Sequence, residues 1–364
     1  MTQEEYWYWL CNIPGLYQDG IRKLLKVFYD PAEIYKASED MLVKSGCVDK
    51  KRAHEIVLSK NNLRSMYRLD KLKKDGITFV YYGSKLYPEA FLTLADKPYA
   101  LYLKGRMPDP EFPSVGIVGA RSCSGYGKEM ALKCSQTLAI NGIQIISGMA
   151  VGVDSYASKG ALEAGGKTFV VLGSGIDVIY PQENIELYYQ IILNGGGVIS
   201  EYPMGTAPIG WQFPHRNRLI SALSDKLLII EARKHSGTLT TAAFALVQGK
   251  DIYAVPGRIT DPLSEGCNRL IADGAGLLLD PMDMVEQFYG ESRLCNISDI
   301  KAEKTAPSNG HYVQINKALD YDSQTIEQIA SKCFLPVEEV SACLTEMELM
   351  GMCSQVSQGL YARI

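Results

Sequence analysis

One short segment combines aromatic, cationic and amide side chains at the start of a predicted helix. It reads Trp211-Gln-Phe213-Pro-His-Arg216-Asn217-Arg218. Cations that follow a phosphate backbone, beside aromatic faces on which bases stack, are typical of single-stranded nucleic acid binding. We therefore expect Phe213 to be a stacking platform and the two arginines and the asparagine to contact DNA. Two alternatives stay open: the ring packs in the core, and the arginines pair with Glu201 or Glu231.

Four loops at one edge of the predicted sheet are small or rich in glycine, namely residues 119–127, 147–154, 173–175 and 233–238. Glycine lets the backbone approach an anion, and a helix N-terminus presents free N–H groups to phosphate. Glycines also make tight turns, but four such loops at one edge favour a phosphate-binding surface. Ten further candidate DNA contacts lie in these loops: Gly119, Arg121, Ser122, Ser147, Gly148, Gly173, Lys234, Ser236, Gly237 and Thr238.

Dinucleotide and nucleoside triphosphate sites are not favoured. A dinucleotide-binding strand is followed by G-x-G-x-x-G, and an acidic residue follows about 20 positions later. Here the glycines are spaced Gly116-x-x-Gly119, and Ser147 stands where the acid is expected. Residues 161–168 match a relaxed phosphate-loop pattern, but they run helix–turn–strand, so their glycines are interpreted as a helix C-cap. We expect no cofactor.

No catalytic or metal-binding constellation emerges from the sequence. Ser147 and Ser236 have no evident histidine–acid pair, and Asp154 is interpreted as a helix N-cap. The four histidines lack a ligand spacing such as H-E-x-x-H. The sequence therefore predicts neither an enzyme nor a metal site.

Composition restricts where DNA would bind. The net charge is −4, although DNA-binding domains usually carry a basic footprint. A DNA site must therefore be local, built from backbone amides and a few arginines. The nine cysteines are dispersed and form no C-x-x-C pair. This pattern, the absence of a long apolar run and the acidic start favour a cytoplasmic protein with reduced thiols.

Alternating strands and helices must position the candidate loops. Strands are predicted at 77–82, 99–104, 115–119, 143–147, 168–172, 197–201, 226–231, 251–255 and 276–279, and helices at 87–94, 128–139 and 239–246. This alternation predicts an α/β fold whose Rossmann-like parallel sheet is covered by helices on both faces. Ligands in such sheets bind at the carboxyl ends of the strands.

The chain is predicted to divide into a helical domain at 1–65, the sheet domain at 66–290, a polar linker at 291–310 and a terminal domain at 311–364. Turns near Gly15 and Gly46 are weakly similar to helix-hairpin-helix turns, but we favour a packing or partner role for the first domain. The terminal domain is predicted to contain helices at 325–330 and 337–350 and a two-stranded wing.

The second helix of that terminal domain, 337–350, carries four glutamates and no lysine or arginine. Because DNA affinity depends largely on neutralising phosphates, we expect this helix to contact protein rather than duplex DNA.

Eight motifs in order resemble the DprA (Smf) family of DNA-processing proteins. They are GARS from Gly119, SGMAVGVD from Ser147, GSGIDVIYP from Gly173, SEYP from Ser200, FPHRNRLIS from Phe213, SGTL from Ser236, VPG from Val255 and GCNRLI from Gly266. The resemblance spans about residues 66–285. It implies a small N-terminal domain similar to a sterile alpha motif, an extended Rossmann domain and a winged-helix-like C-terminal domain.

The resemblance also implies a function. Proteins of this family bind incoming single-stranded DNA during natural transformation, help load a RecA-type recombinase and dimerise through the Rossmann domain. By position, Arg121 matches the family's GxR arginine, and residues 236–238 match its phosphate loop. Phe213 and the residues at 216–218 match its F-P-x-R-N-R segment. Thr238 stands where serine is common, which keeps a hydroxyl.

A nucleotide-processing enzyme is the alternative function. Phosphoribohydrolases with a Rossmann-like fold carry P-G-G-x-G-T-x-x-E, with glutamate three residues after the threonine. Here that position is Thr241. The missing acid disfavours base release from nucleoside monophosphates.

Overall fold

Alternating strands and helices build one nine-stranded sheet within the first unit of the chain, Met1–Phe288. The strands are β1 (Ile77–Tyr81), β2 (Ala100–Gly105), β3 (Ser114–Gly119), β4 (Gln144–Ser147), β5 (Thr168–Leu172), β6 (Gly197–Ser200), β7 (Lys226–Ile230), β8 (Asp251–Ala254) and β9 (Gly276–Leu277). Their order is β1-β2-β6-β5-β4-β3-β7-β8-β9. β2 pairs antiparallel with β1 and β6, and all other pairs are parallel. The predicted parallel sheet is confirmed.

The computed structural model describes residues 1–61, 64–290, 310–320, 323–349, 353–357 and 359–363. Among the described residues, the helices before the sheet are α1 (Gln3–Cys11), α2 (Gln18–Phe28), α3 (Pro31–Lys36), α4 (Glu39–Lys44), α5 (Lys50–Ser59) and α6 (Arg64–Lys74). The helices that connect or follow the parallel strands are α7 (Gly125–Ile140), α8 (Val153–Glu163), α9 (Ile185–Leu193), α10 (Gln212–Leu223), α11 (Gly237–Val247), α12 (Glu265–Ala272) and α13 (Pro281–Tyr289).

The central strands are apolar on both faces because helices cover both sides of the sheet. Every residue of β5 is buried, and β7 is buried from Leu227 onward. Strands covered on both faces appear as continuous apolar runs rather than alternating ones. This pattern made the central strands predictable to within a residue at each end.

The N-terminal helices share a hydrophobic core with one flank of the sheet. Trp7, Leu10 and Leu24 belong to the same buried cluster as Tyr102 of β2 and Val198 of β6. The Tyr102 hydroxyl also donates a hydrogen bond of 2.9 Å to the side-chain oxygen of Asn12. The helices and the sheet therefore fold as one compact unit.

One predicted element differs. The helix expected at 87–94 is only a short 3-10 turn, Glu89–Phe91. Its ends are fixed by tertiary contacts: Phe91 is fully buried, and the Tyr87 hydroxyl donates a hydrogen bond of 2.7 Å to the carbonyl of Pro98. These contacts stabilise an irregular path to β2 in place of further helical turns.

The second unit, Tyr289–Ile364, contains α14 (Gly310–Ala318), α15 (Ile326–Cys333), α16 (Val337–Leu349) and a small sheet. The sheet has the order β10-β12-β11, with β10 at Gln324–Thr325, β11 at Cys353–Ser357 and β12 at Leu360–Arg363. The predicted helix pair and wing are therefore confirmed. The linker predicted at 291–310 lies outside the described residues, except for residue 310. In the described ranges, no helix is long and apolar enough to cross a membrane.

The second unit gives a first testable expectation. The side chains of Glu338, Glu339, Glu346 and Glu348 are all exposed on α16. Because these carboxylates repel phosphate, the isolated fragment 311–364 is expected not to change the fluorescence anisotropy of a labelled duplex in moderate salt. Circular dichroism of the fragment checks that it is folded, and saturable duplex binding would contradict the expectation.

Candidate nucleic-acid interface

The order in which successive strands are placed in the sheet reverses between β3 and β7. These two strands are parallel neighbours, but the chain passes from β3 to β4 on one side and from β7 to β8 on the other. The loops that leave them therefore diverge and open a crevice, which is where open α/β sheets bind ligands. A cavity of about 400 Å³ lies there.

The N-terminus of α11 forms one wall of this cavity. Ser236 is the N-cap, and its side chain accepts a hydrogen bond of 3.2 Å from the N–H of Thr238. The Thr238 hydroxyl donates to the carbonyl of Gly119 at 3.1 Å, which ties the helix to the end of β3. A Cβ on Gly237 would meet nothing within 4 Å. The helix therefore presents its free N–H groups to open space, as an anion site requires.

An aromatic side chain and an arginine form the opposite wall. The guanidinium carbon of Arg121 lies 5.3 Å from the ring centroid of Phe213, within cation–π distance. The ring of Tyr180 lies 5.5 Å from the Phe213 ring. Phe213 is half-buried and lines the cavity, so its environment is that of a cavity wall and not of the closed core.

The cavity brings together nine of the fourteen candidate residues. Its lining includes Gly119, Arg121, Ser122, Phe213, Arg216, Asn217, Ser236, Gly237 and Thr238. Lys234 follows the lining residue Arg233, and its side chain is 68% exposed with its nitrogen 3.8 Å from Glu265. The other four candidates, Ser147, Gly148, Gly173 and Arg218, do not line the cavity.

Two glycines support the cavity wall from behind. A Cβ on Gly173 would lie 2.8 Å from Cδ1 of Phe213, so the ring packs directly on the glycine. A Cβ on Gly148 would lie 2.5 Å from an Asp154 oxygen and 2.8 Å from an Arg216 nitrogen. At both positions, glycine is required because side chains of the cavity wall occupy the space of a Cβ.

The Ser147 hydroxyl is hydrogen-bonded to the backbone and is not available to a ligand. Its side chain is fully buried, and the hydroxyl donates a hydrogen bond of 2.7 Å to the carbonyl of Ile117. The hydroxyl thereby links β4 to β3. We leave Ser147 out of the proposed contacts.

The two arginines of the α10 segment have different environments. Arg216 is buried in the cavity wall, where its Nη1 donates to the carbonyl of Gly148 at 2.7 Å and to that of Val171. Burial lowers its pKa to about 10, so it stays charged at neutral pH. It provides a fixed positive charge behind the anion site.

Arg218 lies away from the cavity in an ion-pair network. It is 1% exposed, and its nitrogens lie 2.7 Å from a Glu201 oxygen and 2.8 Å from an Asp96 oxygen. Burial opposes ionisation of Glu201, but the charge and hydrogen bonds of Arg218 and those of His215 outweigh it and lower the Glu201 pKa. The alternative of an arginine paired with Glu201 therefore describes Arg218, and we leave this residue out of the proposed DNA contacts.

The residues that directly follow β4 and β7 have strained backbone conformations. Met149 follows β4 with φ of 63°, and Glu231 follows β7 with φ of 53°, both in the left-handed region that non-glycine residues rarely adopt. The Glu231 carboxylate accepts a hydrogen bond of 2.8 Å from the N–H of Ser124, the N-cap of α7. This contact fixes the loop that carries Arg121.

Nine lining residues were not among the candidates, and four of them have polar or charged side chains: Asp154, Arg233, His235 and Thr241. Arg233 and His235 belong to the loop that supplies Ser236, so their positions in the sequence could have indicated them. Asp154 ends the candidate loop at 147–154 but was interpreted as a helix N-cap, and that interpretation is wrong because the N-cap of α8 is Gly152. Thr241 carried no such signal, because it lies in the second turn of its helix, where packing is the usual role.

The family model of DNA recombination-mediator protein A matches residues 78–289, and that of the DprA winged helix domain matches residues 301–359. The chain belongs to the DNA recombination-mediator protein A family. The resemblance seen in the sequence and the winged-helix end are both confirmed.

The chain is similar to relatives that match all or part of its length. Protein Smf of Escherichia coli is 32% identical over 376 residues, which cover 100% of this chain and 96% of the relative. DNA processing protein DprA of Streptococcus pneumoniae is 41% identical over 202 residues, which cover 56% of this chain and 71% of the relative.

Two solved structures share the fold. The structure of the Streptococcus pneumoniae protein has a TM-score of 0.67 at 32% identity and covers 78% of this chain and 97% of its own. That of DNA processing protein A from Helicobacter pylori, described for its unique single-stranded DNA binding mode, has a TM-score of 0.52 at 31% identity. It covers 58% of this chain and 95% of its own.

The ion-pair network predicts how stability depends on pH. Hydrogen bonds to Asp96 and Glu201 raise the His215 pKa from 6.5 to about 9. A raised histidine pKa contributes stability that is fully present below pH 6.5 and is lost as the pH rises through 9. Because the ring is 33% exposed, water screens part of the effect, and we expect a loss of about 1–2 kcal/mol.

Urea unfolding between pH 6 and pH 9.5 measures this loss. His215→Gln is expected to be less stable at pH 6 and to show a flatter profile. His54→Gln is the matched control, because the His54 side chain is 58% exposed on α5. A wild-type profile as flat as that of His215→Gln would contradict the assignment.

Proposed function

We propose that this protein binds single-stranded DNA in the cavity between β3 and β7. One observation carries the proposal: the reversal in strand order places a helix N-terminus, Arg121 and Arg233 around the half-buried ring of Phe213. This cavity therefore offers binding groups for both a phosphate and a base. The single-stranded DNA binding mode described for the Helicobacter pylori relative supports the assignment.

The chemistry of the wall favours single strands over duplex. An aromatic platform needs the face of a base that is not already stacked between its neighbours, and such faces are accessible in single strands. Arg121, Arg233 and the N–H groups of α11 contact phosphate, which is common to all sequences. Strong sequence preference along the strand is therefore not expected.

We further propose that binding serves natural transformation, with this protein helping to load a RecA-type recombinase onto the incoming strand in the cytoplasm. The family resemblance supports this role.

A role as a nucleotide-processing enzyme is the less favoured candidate. Its characteristic glutamate would stand one turn after Thr238, and the residue there is the buried Thr241. We therefore propose a binding protein without catalytic activity.

Fluorescence anisotropy with a labelled dT20 strand tests the binding site. Arg121→Ala and Arg233→Ala are each expected to weaken binding and to lower the slope of log K against log salt by about 0.7, because each removes one phosphate contact to a single strand. Phe213→Ala is expected to cost about 1–3 kcal/mol of stacking, roughly a tenfold loss or more.

Arg106→Ala is the matched control for these variants. Arg106 is exposed and directly follows β2 beside the start of β6, at the edge opposite the cavity. Its affinity should equal that of the wild type. Absence of single-strand binding at low salt, together with release of free base from nucleoside monophosphates, would replace this proposal with the enzyme.

We also infer that the chain forms a homodimer through the Rossmann unit. The edge strand β9 supports this inference, because its Leu277 is 44% exposed and Leu279, just after the strand, is 78% exposed. Sedimentation velocity of the full chain is expected to give twice the chain mass of 40.2 kDa. A single species at the monomer mass across micromolar concentrations would contradict the dimer.

A further inference from the structure

The cavity between β3 and β7 contains two buried polar groups that phosphate binding does not use. Asp154 at the start of α8 is 6% exposed, and Thr241 of α11 is 1% exposed. Both line the cavity, although they come from different helices. A carboxylate repels phosphate, so a second part of the ligand is the natural partner for Asp154. Thr241 lies one helical turn beyond the N-terminus at which phosphate would bind.

The carboxylate of Asp154 is only partly stabilised by the protein. Burial raises its pKa to about 6, despite the opposing charge of Arg216 and hydrogen bonds from the backbone N–H groups of Ala150 and Gly119. Nη1 of Arg216 is directed at carbonyl oxygens instead. Because two carboxylate oxygens accept about four hydrogen bonds, Asp154 retains capacity for further donors.

The position of this carboxylate is unfavourable for phosphate alone. A negative charge in the wall of an anion site repels the anion that the site binds. Asp154 is therefore compatible with tight binding only where a hydrogen-bond donor of the same ligand offsets the repulsion.

Thr241 gives an independent indication of a ligand. Its buried hydroxyl has no hydrogen-bond partner among the described residues. A buried polar group without a partner is destabilising until a ligand or a water supplies one. The hydroxyl lies one helical turn beyond Thr238, on the helix whose N-terminus is the proposed phosphate site.

The size of the cavity is that of a site for a small ligand. Its volume of about 400 Å³ is at the small end of ligand sites, which span roughly 300–1,000 Å³. With phosphate at the start of α11 and the base against Phe213, the edge of the base is the part of the ligand left to meet Asp154.

We propose that one nucleotide of the bound strand enters this cavity and that Asp154, assisted by Thr241, accepts a hydrogen bond from the amino group of its base. This inference rests on the proposed function and adds a preference at one nucleotide position. Cytosine, adenine and guanine carry an amino group, whereas thymine presents a carbonyl oxygen where cytosine has its amino group. An oxygen opposite a carboxylate is repelled, so thymine is disfavoured there.

Competition by mononucleotides tests the preference. The full-length protein is bound to labelled dT20, which is then displaced with dCMP or dTMP, two pyrimidines of similar size. The wild type is expected to be displaced by dCMP at about one-fifth of the dTMP concentration or less, and by dAMP and dGMP also more readily than by dTMP. Asp154→Asn should bring the dCMP and dTMP values together, and Thr241→Val should reduce their difference.

The ratio of the two displacement constants separates recognition from structural support. If Asp154 only balances the charge of Arg216, the variant will lose affinity for both nucleotides equally and keep the wild-type ratio, which would overturn the inference. Equal displacement by dCMP and dTMP in the wild type would also overturn it, whether or not the variants fold. Asp251→Asn, exposed at the opposite end of the sheet, should keep the wild-type ratio.

Failure of the inference is distinguishable from failure of the proposed function. If dCMP and dTMP displace dT20 from the wild type equally well, only the role of Asp154 is refuted, because dT20 still binds. Absence of dT20 binding by the wild type refutes the proposed function itself.

Discussion

The reversal of strand order between β3 and β7 is the constraint on which the rest of the site depends. Two adjacent parallel strands whose connections run in opposite directions cannot have their loops covered by a common crossover helix. Glycine is required at the end of β3, since a Cβ on Gly119 would lie 1.8 Å from the carbonyl oxygen of Ile230. The cavity follows from this arrangement, and the hydrogen bond from Thr238 to Gly119 holds its two sides together.

Two arginines of one short segment are used for different purposes because of helix geometry. Arg216 and Arg218 are two residues apart on α10, and residues at that spacing do not share a helix face. One is therefore directed to the cavity and the other to Glu201 on the opposite side. Removing either leaves a buried partner unsatisfied, so a simple loss-of-charge experiment at these positions would confuse binding with stability.

The proposed site shows how an acidic chain can bind a polyanion. Exposed cations of the loops, Arg121, Arg233 and Lys234, are concentrated at one edge of the sheet, and the N–H groups of α11 add positive potential without adding net charge. The buried charge of Arg216 lies behind them. The acidic face of α16 belongs to the other unit, so the overall charge of −4 does not describe the potential at the cavity.

The sequence by itself determined the elements and the edge at which they act. Continuous apolar runs predicted the strands, with the bounds of β5 at Thr168 and Leu172, and the motifs placed Arg121, Phe213 and residues 236–238 in one family pattern. The bounds depend on local patterning, which sequence reports directly. The helix expected at 87–94 failed because burial of Phe91 overrode local propensity.

Tertiary structure alone decided which candidates meet. The loops at 147–154 and 173–175 looked equally suited to phosphate, but Gly148 and Gly173 serve to make room for Asp154, Arg216 and Phe213. Likewise, only strand order brings Asp154 and Thr241 to the same cavity from helices far apart in the chain. Periodicity reports which face of an element is buried, whereas the chemistry of a site depends on which elements become neighbours, and that is fixed by long-range packing.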